Sequence, residues 1–439
     1  MSPAAPPRSA PGVSPARACA YAVVRRVFEQ GAYADRALHA EARGLDPRER
    51  AFAMALAYGT VQRVVTLDHV LAQLCNRPPE RLDAPVLAAL RLGLMQLLFL
   101  HGTAEHAAVH ESVELAKRSS SGGAGLVNAV LRRATREGAG VLAALDDRTP
   151  QAAAVLRSVP VWLAELWWSE LGAERARALL ASVNEPAESA LRVNTLVGEP
   201  AVVAAELGVV SRPAEGPGAI PEGLILDGAF DAFASPLWTR GAIMPQARAS
   251  MAVARALEPQ AGERVLDLCA APGAKTTHLA ALMGDEGEIV AVERHPGRAQ
   301  ALQRTLRRMQ VSCATVRVAD AGEPSDDAQA AFDRVLIDPP CSGLGTLQSR
   351  PDLRWRVNPE RITGLSRDQA RILAAGAAAT RAGGTLVYSV CTISRAEADD
   401  VVDAFLSAHP EFVADGPYLR TAPDRDGTDG FFIARLRRR

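Results

Sequence analysis

The sequence predicts a multidomain protein with an all-α bundle, a small α+β module and a C-terminal α/β domain. Its 439 residues exceed the usual size of one domain. Apolar residues recur at helical spacing in the first part of the chain, whereas apolar strand-like runs alternate with helical patterns in the last part. We expect a disordered leader over residues 1–14, the bundle over 15–140, the module over 146–236 and the α/β domain over 238–439.

Charge and composition are those of an ordinary globular protein. Hydrophobic residues make up 48%, charged residues 23%, and the formal net charge is -1. A nearly neutral chain binds nucleic acid only through local basic patches. The candidate patches are Arg304 with Arg307 and Arg308, Arg350 with Arg354 and Arg356, and Arg435 with Arg437, Arg438 and Arg439.

The cysteines and the apolar runs indicate a cytoplasmic protein that does not enter a membrane. Six cysteines show neither a C-x-x-C pair nor zinc-site spacing, so we expect no metal and no disulfide framework. His106 and His110 have the helical spacing of a metal pair, but no further ligands accompany them. The longest apolar stretch, 86–100, contains Arg91 and is too short to span a bilayer.

Helical periodicity predicts the bundle and the first helix of the module. In the bundle it is clearest over 18–27 and 86–98, and the Pro-rich turn at 77–79 lies between periodic runs. The module is expected to open with a helix over 161–183, with Trp162, Leu166 and Leu171 in the core. Its strand candidates are 190–194 and 224–226.

The C-terminal region reads as a doubly wound parallel sheet, because buried apolar strands alternate with helices such as 369–382. The strand candidates are 264–268, 288–292, 314–318, 334–337, 385–389 and 430–436. Ligands of such sheets bind at the carboxyl ends of the strands, so residues that follow each strand are the candidate site.

The turn after the first of these strands is built from small residues. It comprises Cys269, Ala270, Ala271, Pro272, Gly273, Ala274 and Lys275. Small side chains allow a ligand to approach the backbone, and the helix that follows offers unbonded N–H groups. The spacing matches neither a P-loop nor a G-x-G-x-x-G fingerprint.

Acidic residues follow the next two strands. Glu293 ends the second strand, where a carboxylate can accept hydrogen bonds from ribose hydroxyls. Asp320 follows the third strand and could accept from an adenine amino group. Together with the small-residue turn, these acids imply an adenosine compound without a polyphosphate.

Two cysteines follow the fourth and fifth strands. Cys341 lies in Asp338-Pro339-Pro340-Cys341-Ser342-Gly343, and Cys391 lies in Ser389-Val390-Cys391-Thr392. A cysteine is usually a small buried hydrophobe, and that reading suits Cys19, Cys75 and Cys313. For Cys341 and Cys391 the position at neighbouring strand ends favours catalysis.

Together these motifs resemble one enzyme family. The segments 268–273, 338–343 and 391–392, in this order, are similar to the RNA 5-methylcytosine methyltransferases of the RsmB/Sun type. Residues 15–140 resemble the RNA-binding domain NusB, and 190–195 and 429–432 resemble further family segments. The resemblance implies a Rossmann-like S-adenosyl-L-methionine methyltransferase domain, and its three-part order is that of bacterial enzymes acting on 16S rRNA.

The resemblance also implies roles for site residues. Cys391 would be the nucleophile, and Cys341 would help to release the product. Asp338 would hydrogen-bond the cytosine ring, and Lys275 would favour the Cys391 thiolate. The residues implied in binding S-adenosyl-L-methionine are Cys269, Ala270, Ala271, Pro272, Gly273, Ala274, Lys275, Glu293, Asp320 and Asp338. The stretch 349–355 is similar to a family segment near the RNA.

Three alternatives remain open at this stage. The same chemistry could act on tRNA or another RNA. A DNA cytosine methyltransferase would use Cys341 as the nucleophile, but no DNA target-recognition region is evident. A non-enzymatic, NusB-like antitermination protein is the alternative of another class. We expect small-subunit rRNA as the partner, neither DNA nor a membrane, and a monomer.

Overall fold

The computed structural model describes residues 12–119, 122–215, 220–228, 230–323 and 330–439. Most of the predicted leader, residues 1–11, lies outside them. Within the described residues the chain forms two compact units. The first is Met1–Glu185 with Leu347–Arg356, and the second is Pro186–Thr346 with Val357–Arg439.

The first unit is helical, as the sequence predicts for the bundle. Apolar faces of α1, α3, α5 and α7 form one core, with Leu56, Leu90 and Leu131 fully buried. Its helices are α1 Pro15–Gln30, α2 Ala34–Glu41, α3 Pro47–Gln62, α4 Val64–Leu74, α5 Ala84–Phe99, α6 Glu105–Ser119, α7 Gly123–Ala143, α8 Pro150–Arg157, α9 Val161–Leu171 and α10 Ala173–Ser182. Among the described residues, none of the helices is both long and apolar enough to cross a membrane.

The long helix predicted over 161–183 is wrong. Gly172 has φ 79°, a left-handed conformation that ends α9 and separates it from α10. The predicted core positions are also displaced, because the buried residues of α9 are Leu163, Ala164 and Trp167. This helix is apolar on most sides, so its periodicity does not distinguish the buried face.

Arg354 lies in the interior of the first unit, within Leu347–Arg356. Its side chain is 0% exposed. Five oxygens accept its hydrogen bonds: the carbonyls of Gln62, Ser158, Val183 and Leu347, and Oδ1 of Asn184. Burial lowers its pKa to about 9. The predicted basic patch at 350, 354 and 356 is therefore wrong for Arg354, because the backbone carbonyls at the ends of α3 and α10 attract this guanidinium inward.

The second unit begins with a small antiparallel sheet of order β2-β3-β1-β4. Its core includes Leu191, Leu224 and Ile243, which lie on three of its strands. The elements are β1 Ala190–Val193, α11 Pro200–Glu206, β2 Ser211–Ala214, β3 Ile220–Leu226, α12 Pro236–Thr239, β4 Ile243–Pro245 and α13 Arg248–Leu257.

A larger sheet forms the rest of this unit, with order β10-β12-β9-β8-β5-β6-β7 and β11 paired to β12. Its strands are β5 Arg264–Asp267, β6 Glu288–Val292, β7 Ala314–Arg317, β8 Phe332–Ile337, β9 Thr380–Val390, β10 Phe412–Ala414, β11 Leu419–Arg420 and β12 Phe432–Arg438. The accompanying helices are α14 Ala274–Leu282, α15 Pro296–Arg308, α16 Pro359–Ala379, α17 Asp399–Ala408 and α18 Pro423–Asp426.

The strands β5 to β9 pair in parallel, whereas β12 runs antiparallel to β9. Parallel pairing brings the carboxyl ends of these five strands to one edge. The predicted fold class, a helical region followed by a small α+β module and an α/β domain, is confirmed.

Candidate active site

The small-residue loop joins β5 to α14 at this edge. Gly273 has φ 106°, and a Cβ atom there would lie 2.8 Å from Leu302 Cδ1, so glycine is required. Arg298 donates a hydrogen bond to the Ala271 carbonyl at 2.8 Å and holds the loop against α15. Within the described residues α14 has no side-chain N-cap hydrogen bond, which leaves N–H groups of its first turn as donors.

Asp267 is a site residue that the sequence analysis does not identify. It binds the first turn of the helix that follows the loop. It is the last residue of β5 and is 1% exposed. Its Oδ2 accepts from the Thr276 hydroxyl at 2.7 Å. Burial raises its pKa to about 6, although the hydrogen bond from Thr276 opposes that rise. The sequence signal that could have identified Asp267 is its position as an acid after the apolar residues of β5.

Arg192 holds the other side of the same helix. It projects from β1, is 0% exposed, and donates to Thr277 Oγ1 at 2.7 Å and Gln246 Oε1 at 2.9 Å. Because Thr277 belongs to the first turn of α14, the small sheet stabilises the helix that follows the loop. The sequence pattern contained no signal for this contact.

Glu293 and Asp320 follow β6 and β7 at the same edge, as predicted from their positions. Glu293 is 4% exposed and accepts from the His295 amide at 2.8 Å. Asp320 accepts from the Gly322 amide at 2.8 Å and from Arg371 at 3.0 Å. These hydrogen bonds lower the pKa of Asp320 and keep it ionised.

Asp338 directly follows β8 and forms the polar centre of the site. Its Oδ2 lies 2.5 Å from Lys275 Nζ, and its Oδ1 accepts from the Ser389 hydroxyl at 2.9 Å. The Lys275 ammonium also lies 5.3 Å from the centre of the Phe431 ring, within cation–π range. The sequence predicts that Lys275 favours the Cys391 thiolate, and it does not predict this contact with Asp338.

The structure brings Cys341 and Cys391 together. Their Sγ atoms are 3.2 Å apart, although 50 positions separate them in the sequence. Cys391 directly follows β9, and its carbonyl accepts from the Gly345 amide at 3.0 Å. Position 345 must be glycine, because a Cβ atom there would lie 1.9 Å from the Gly430 carbonyl oxygen.

The surroundings of the Cys341 thiol hold it in its protonated form. The hydrogen bond with Cys391 and burial raise the pKa of Cys341 well above its usual value, and Glu397 and Asp338 add to the effect. Cys341 therefore keeps its proton at neutral pH and can donate it toward Cys391. In that arrangement a thiolate at Cys391 would be the acceptor of the hydrogen bond.

The donor set of the cofactor loop fits an adenosine ligand that carries a carboxylate. Backbone N–H groups at the start of α14 suit an anionic group. Two carboxylates at the ends of neighbouring strands suit hydroxyl and amino donors. The loop differs from a P-loop in its glycine spacing, because Ala274 separates Gly273 from Lys275 and Thr276.

Comparison with known families covers each region of the chain. Residues 254–437 match the family described as 16S rRNA methyltransferase RsmB/F. Residues 14–136 match the NusB family, and 159–232 match the ferredoxin-like domain of RsmF/B-like methyltransferases.

Similar proteins span nearly the whole chain. The probable ribosomal RNA small subunit methyltransferase B of Bacillus subtilis is 34% identical, covering 90% of this chain and 92% of that protein. The ribosomal RNA small subunit methyltransferase B of Thermus thermophilus is 38% identical, with 89% of each chain covered. A solved structure described as PH0851 is 27% identical with TM-score 0.81, covering 98% of this chain and 99% of that one. This chain is therefore a member of the RsmB/F methyltransferase family, with NusB and ferredoxin-like domains before its α/β domain.

Proposed function

We propose that this protein transfers a methyl group from S-adenosyl-L-methionine to carbon 5 of a cytosine in small-subunit rRNA, with Cys391 as the nucleophile. The substrate is inferred from the names of its relatives, which are small-subunit rRNA methyltransferases. The observation that carries the chemistry is the 3.2 Å contact between the Cys341 and Cys391 sulfurs.

Cytosine carbon 5 is a weak nucleophile, so the ring must first be activated. In the proposed reaction, the Cys391 thiolate forms a bond to carbon 6, and the ring electrons shift so that carbon 5 can attack the methyl group. The donor sulfur keeps the electron pair of the broken bond. Transfer of the carbon 5 proton to solvent then restores the ring double bond and expels the Cys391 thiolate.

Cys341 suits the last of these steps. Its raised pKa keeps it protonated, and its sulfur lies beside the departing sulfur. A thiol in this position stabilises the leaving thiolate through a hydrogen bond. The proposed roles of the two cysteines therefore rest on the raised pKa of Cys341 and on the contact between the two sulfurs.

Asp338 and Lys275 suit the activation of the cytosine ring. Asp338 accepts from Lys275 and Ser389, which orient its carboxylate at the edge of the sheet. A carboxylate held in this way can accept a hydrogen bond from the exocyclic amino group of cytosine. The Lys275 charge stabilises the carboxylate, and in this proposal it also stabilises negative charge on the Cys391 sulfur.

S-adenosyl-L-methionine would supply the methyl group. In this proposal its carboxylate binds at the start of α14, beside Lys275. Glu293 would accept from the ribose hydroxyls, and Asp320 from the adenine amino group. The small residues 269–274 would allow close approach of the backbone. We also propose that the NusB-family region contacts the RNA, and that the target base is extruded or single-stranded.

A denaturing-gel test for a covalent protein–RNA adduct examines this proposal. Unmethylated small-subunit rRNA and S-adenosyl-L-methionine are incubated with wild type, Cys341→Ala and Cys391→Ala. Cys313→Ala is the matched control, because Cys313 precedes β7 and so lies at the opposite edge of the sheet. We expect Cys341→Ala to accumulate adduct, Cys391→Ala to form none, and Cys313→Ala to behave as wild type.

Three other outcomes would contradict parts of the proposal. An adduct that requires Cys341 would reverse the two roles and indicate the DNA-type mechanism. Methyl transfer to tRNA but not to rRNA would change the substrate and keep the chemistry. Binding of RNA without any methyl transfer would favour a non-enzymatic, antitermination-like protein.

A further inference from the structure

A buried polar network lies behind the two cysteines, and the reaction proposed above does not use it. Its members come from four separate parts of the second unit and are at most 2% exposed. They are Ser342, Gln369, Tyr388, Thr392 and Glu397. Polar side chains this deeply buried usually have a structural or functional reason, because an unsatisfied group is costly.

Glu397 is the centre of this network. It lies in a 3₁₀ turn, Arg395–Glu397, just before α17, and its carboxylate is 0% exposed. Its Oε1 accepts from the Ser342 amide at 2.8 Å and from Gln369 Nε2 at 3.0 Å. Its Oε2 accepts from the Ser342 hydroxyl. Both carboxylate oxygens therefore have hydrogen-bond donors. Because these donors are all neutral, none of them offsets the negative charge.

The network holds the backbone on both sides of Cys341. The Ser342 amide follows Cys341 and donates to Glu397. The carbonyl of Pro340 precedes Cys341 and accepts from Gln369 Nε2 at 3.0 Å. Glu397 and Gln369 are bonded to each other, so one rigid unit restrains the peptide groups that flank this cysteine.

The same network reaches the other cysteine through two hydroxyls. Because a carboxylate can only accept, the Ser342 hydroxyl must donate to Glu397. The Thr392 hydroxyl then donates to Ser342 Oγ at 2.8 Å, and the Ser394 amide donates to Thr392 at 3.2 Å. Thr392 directly follows Cys391, so a continuous chain of hydrogen bonds joins the residues next to the two thiols.

We propose that Glu397 is a positioning residue that fixes the separation of the Cys341 and Cys391 thiols through Ser342, Gln369 and Thr392. This inference rests on the proposed function, because it concerns the two cysteines that the reaction employs. Glu397 does not touch the reacting atoms. It acts by restraining the loop of Cys341 at the distance where its thiol can donate to the Cys391 sulfur.

The charge of Glu397 gives it a second effect on the same thiol. A buried carboxylate near a thiol opposes formation of a second negative charge, and Glu397 contributes to the raised pKa of Cys341. Position and charge therefore act together, since both keep the proton on Cys341. Replacement of the carboxylate by an amide would remove the charge and place an NH2 group beside the Ser342 hydroxyl, so that this hydroxyl could no longer donate to position 397.

The test measures the two thiols directly and requires no RNA. Purified full-length wild type, Glu397→Gln and Thr392→Val are treated with iodoacetamide from pH 6 to 10, and alkylation of Cys341 and Cys391 is followed separately by peptide mass spectrometry. Asp403→Asn is the matched control, because it removes an exposed carboxylate from α17. Thermal unfolding is recorded for each variant.

We expect Cys391 to react faster than Cys341 in wild type and in Asp403→Asn. In Glu397→Gln the apparent pKa of Cys341 should fall by about one unit, so the ratio of the two rates should change about tenfold. Thr392→Val keeps the charge and breaks only the link between the loops, so it should change the ratio with a smaller shift of the pKa. If Glu397→Gln does not fold, the result for Thr392→Val decides the matter.

Adduct release gives the second readout. With rRNA and S-adenosyl-L-methionine, Glu397→Gln should lower kcat about tenfold and accumulate covalent adduct, while KM for S-adenosyl-L-methionine stays within about twofold of wild type. Rate ratios unchanged in both variants would overturn the inference. A changed ratio in a protein whose wild type transfers no methyl group would support the positioning role and refute the proposed function.

Discussion

The two halves of the sheet edge hold their carboxylates in different ways. In the cofactor half, Glu293 and Asp320 each accept from an amide only two positions further along the chain. In the cysteine half, Asp338 accepts from Lys275, which is 63 positions away, and Glu397 accepts from Ser342, which is 55 positions away. The first half is organised by local turns, to which the exposed ion pair between Arg371 and Asp320 is added, and the second half by tertiary contacts.

This difference predicts how substitutions act. A carboxylate oriented by its own turn can be replaced with a change in ligand affinity and little else. A carboxylate that joins distant segments carries the geometry of the reacting groups, so its replacement should alter the rate of the chemical step. The following predictions test that distinction, from the largest expected effect to the smallest.

Replacement of Asp338 should have the largest effect. In Asp338→Asn the Lys275 ammonium loses its counter-charge, and the ring loses its proposed acceptor. We expect kcat for methyl transfer to fall by about 10²- to 10⁴-fold. Asp333→Asn, near the start of the same strand, should stay within about twofold of wild type. Single-turnover methylation measures both, and an equal loss in the two variants would contradict the assignment.

Asp267 lies in the cofactor half, but its carboxylate is buried. We therefore expect its replacement to change the pH dependence of stability. An unfolded chain releases this proton near the ordinary value of 3.8, whereas the folded protein releases it near 6. The contribution of Asp267 to stability should therefore fall by about 3 kcal/mol as the pH rises through this window, and remain level above it.

The variant Asp267→Asn should not show that fall. Urea unfolding of both proteins at pH 4 to 7, followed by circular dichroism, measures the difference. Thr276→Ser keeps the hydroxyl donor and serves as the control. Parallel pH profiles for wild type and Asp267→Asn would mean that Asp267 titrates at its ordinary value.

Glu293 should affect ligand affinity and not the chemical step. A hydrogen bond to a charged acceptor contributes about 1.5–3 kcal/mol, so Glu293→Gln should raise Kd for S-adenosyl-L-methionine about 10- to 100-fold. Glu288→Gln, at the exposed start of the same strand, is the control. Isothermal titration calorimetry gives Kd, and kcat at saturation should change little. A loss confined to kcat would break the proposed distinction between the halves.

The Arg371–Asp320 ion pair should have the smallest effect. The Arg371 side chain is 42% exposed, and exposed pairs contribute only about 0.2–1 kcal/mol. Arg371→Ala should therefore lower Tm by about 1–3 °C. Differential scanning calorimetry at low and high salt measures this change, which should shrink as salt screens the pair. A larger loss would place this arginine among the structural residues.

Much of the site could be predicted because strand ends are local features. Apolar runs locate β6, β8 and β9, and the residues that follow them include Glu293, Asp338 and Cys391. The sequence predicts the buried face of a helix less well where apolar residues lie on most of its sides. Helix α9 is apolar on most sides, so its buried face was assigned wrongly, and Gly172 was not recognised as the end of the helix.

Sequence periodicity alone thus determined the fold class and the edge of the sheet at which the chemistry-bearing residues lie. Only the tertiary structure decided which of them touch. The burial of Arg354, the pairing of Lys275 with Asp338 and the role of Glu397 each depend on contacts between segments far apart in the chain. Side-chain alternation is a property of neighbouring residues, whereas these contacts arise only when strands pair and helices pack.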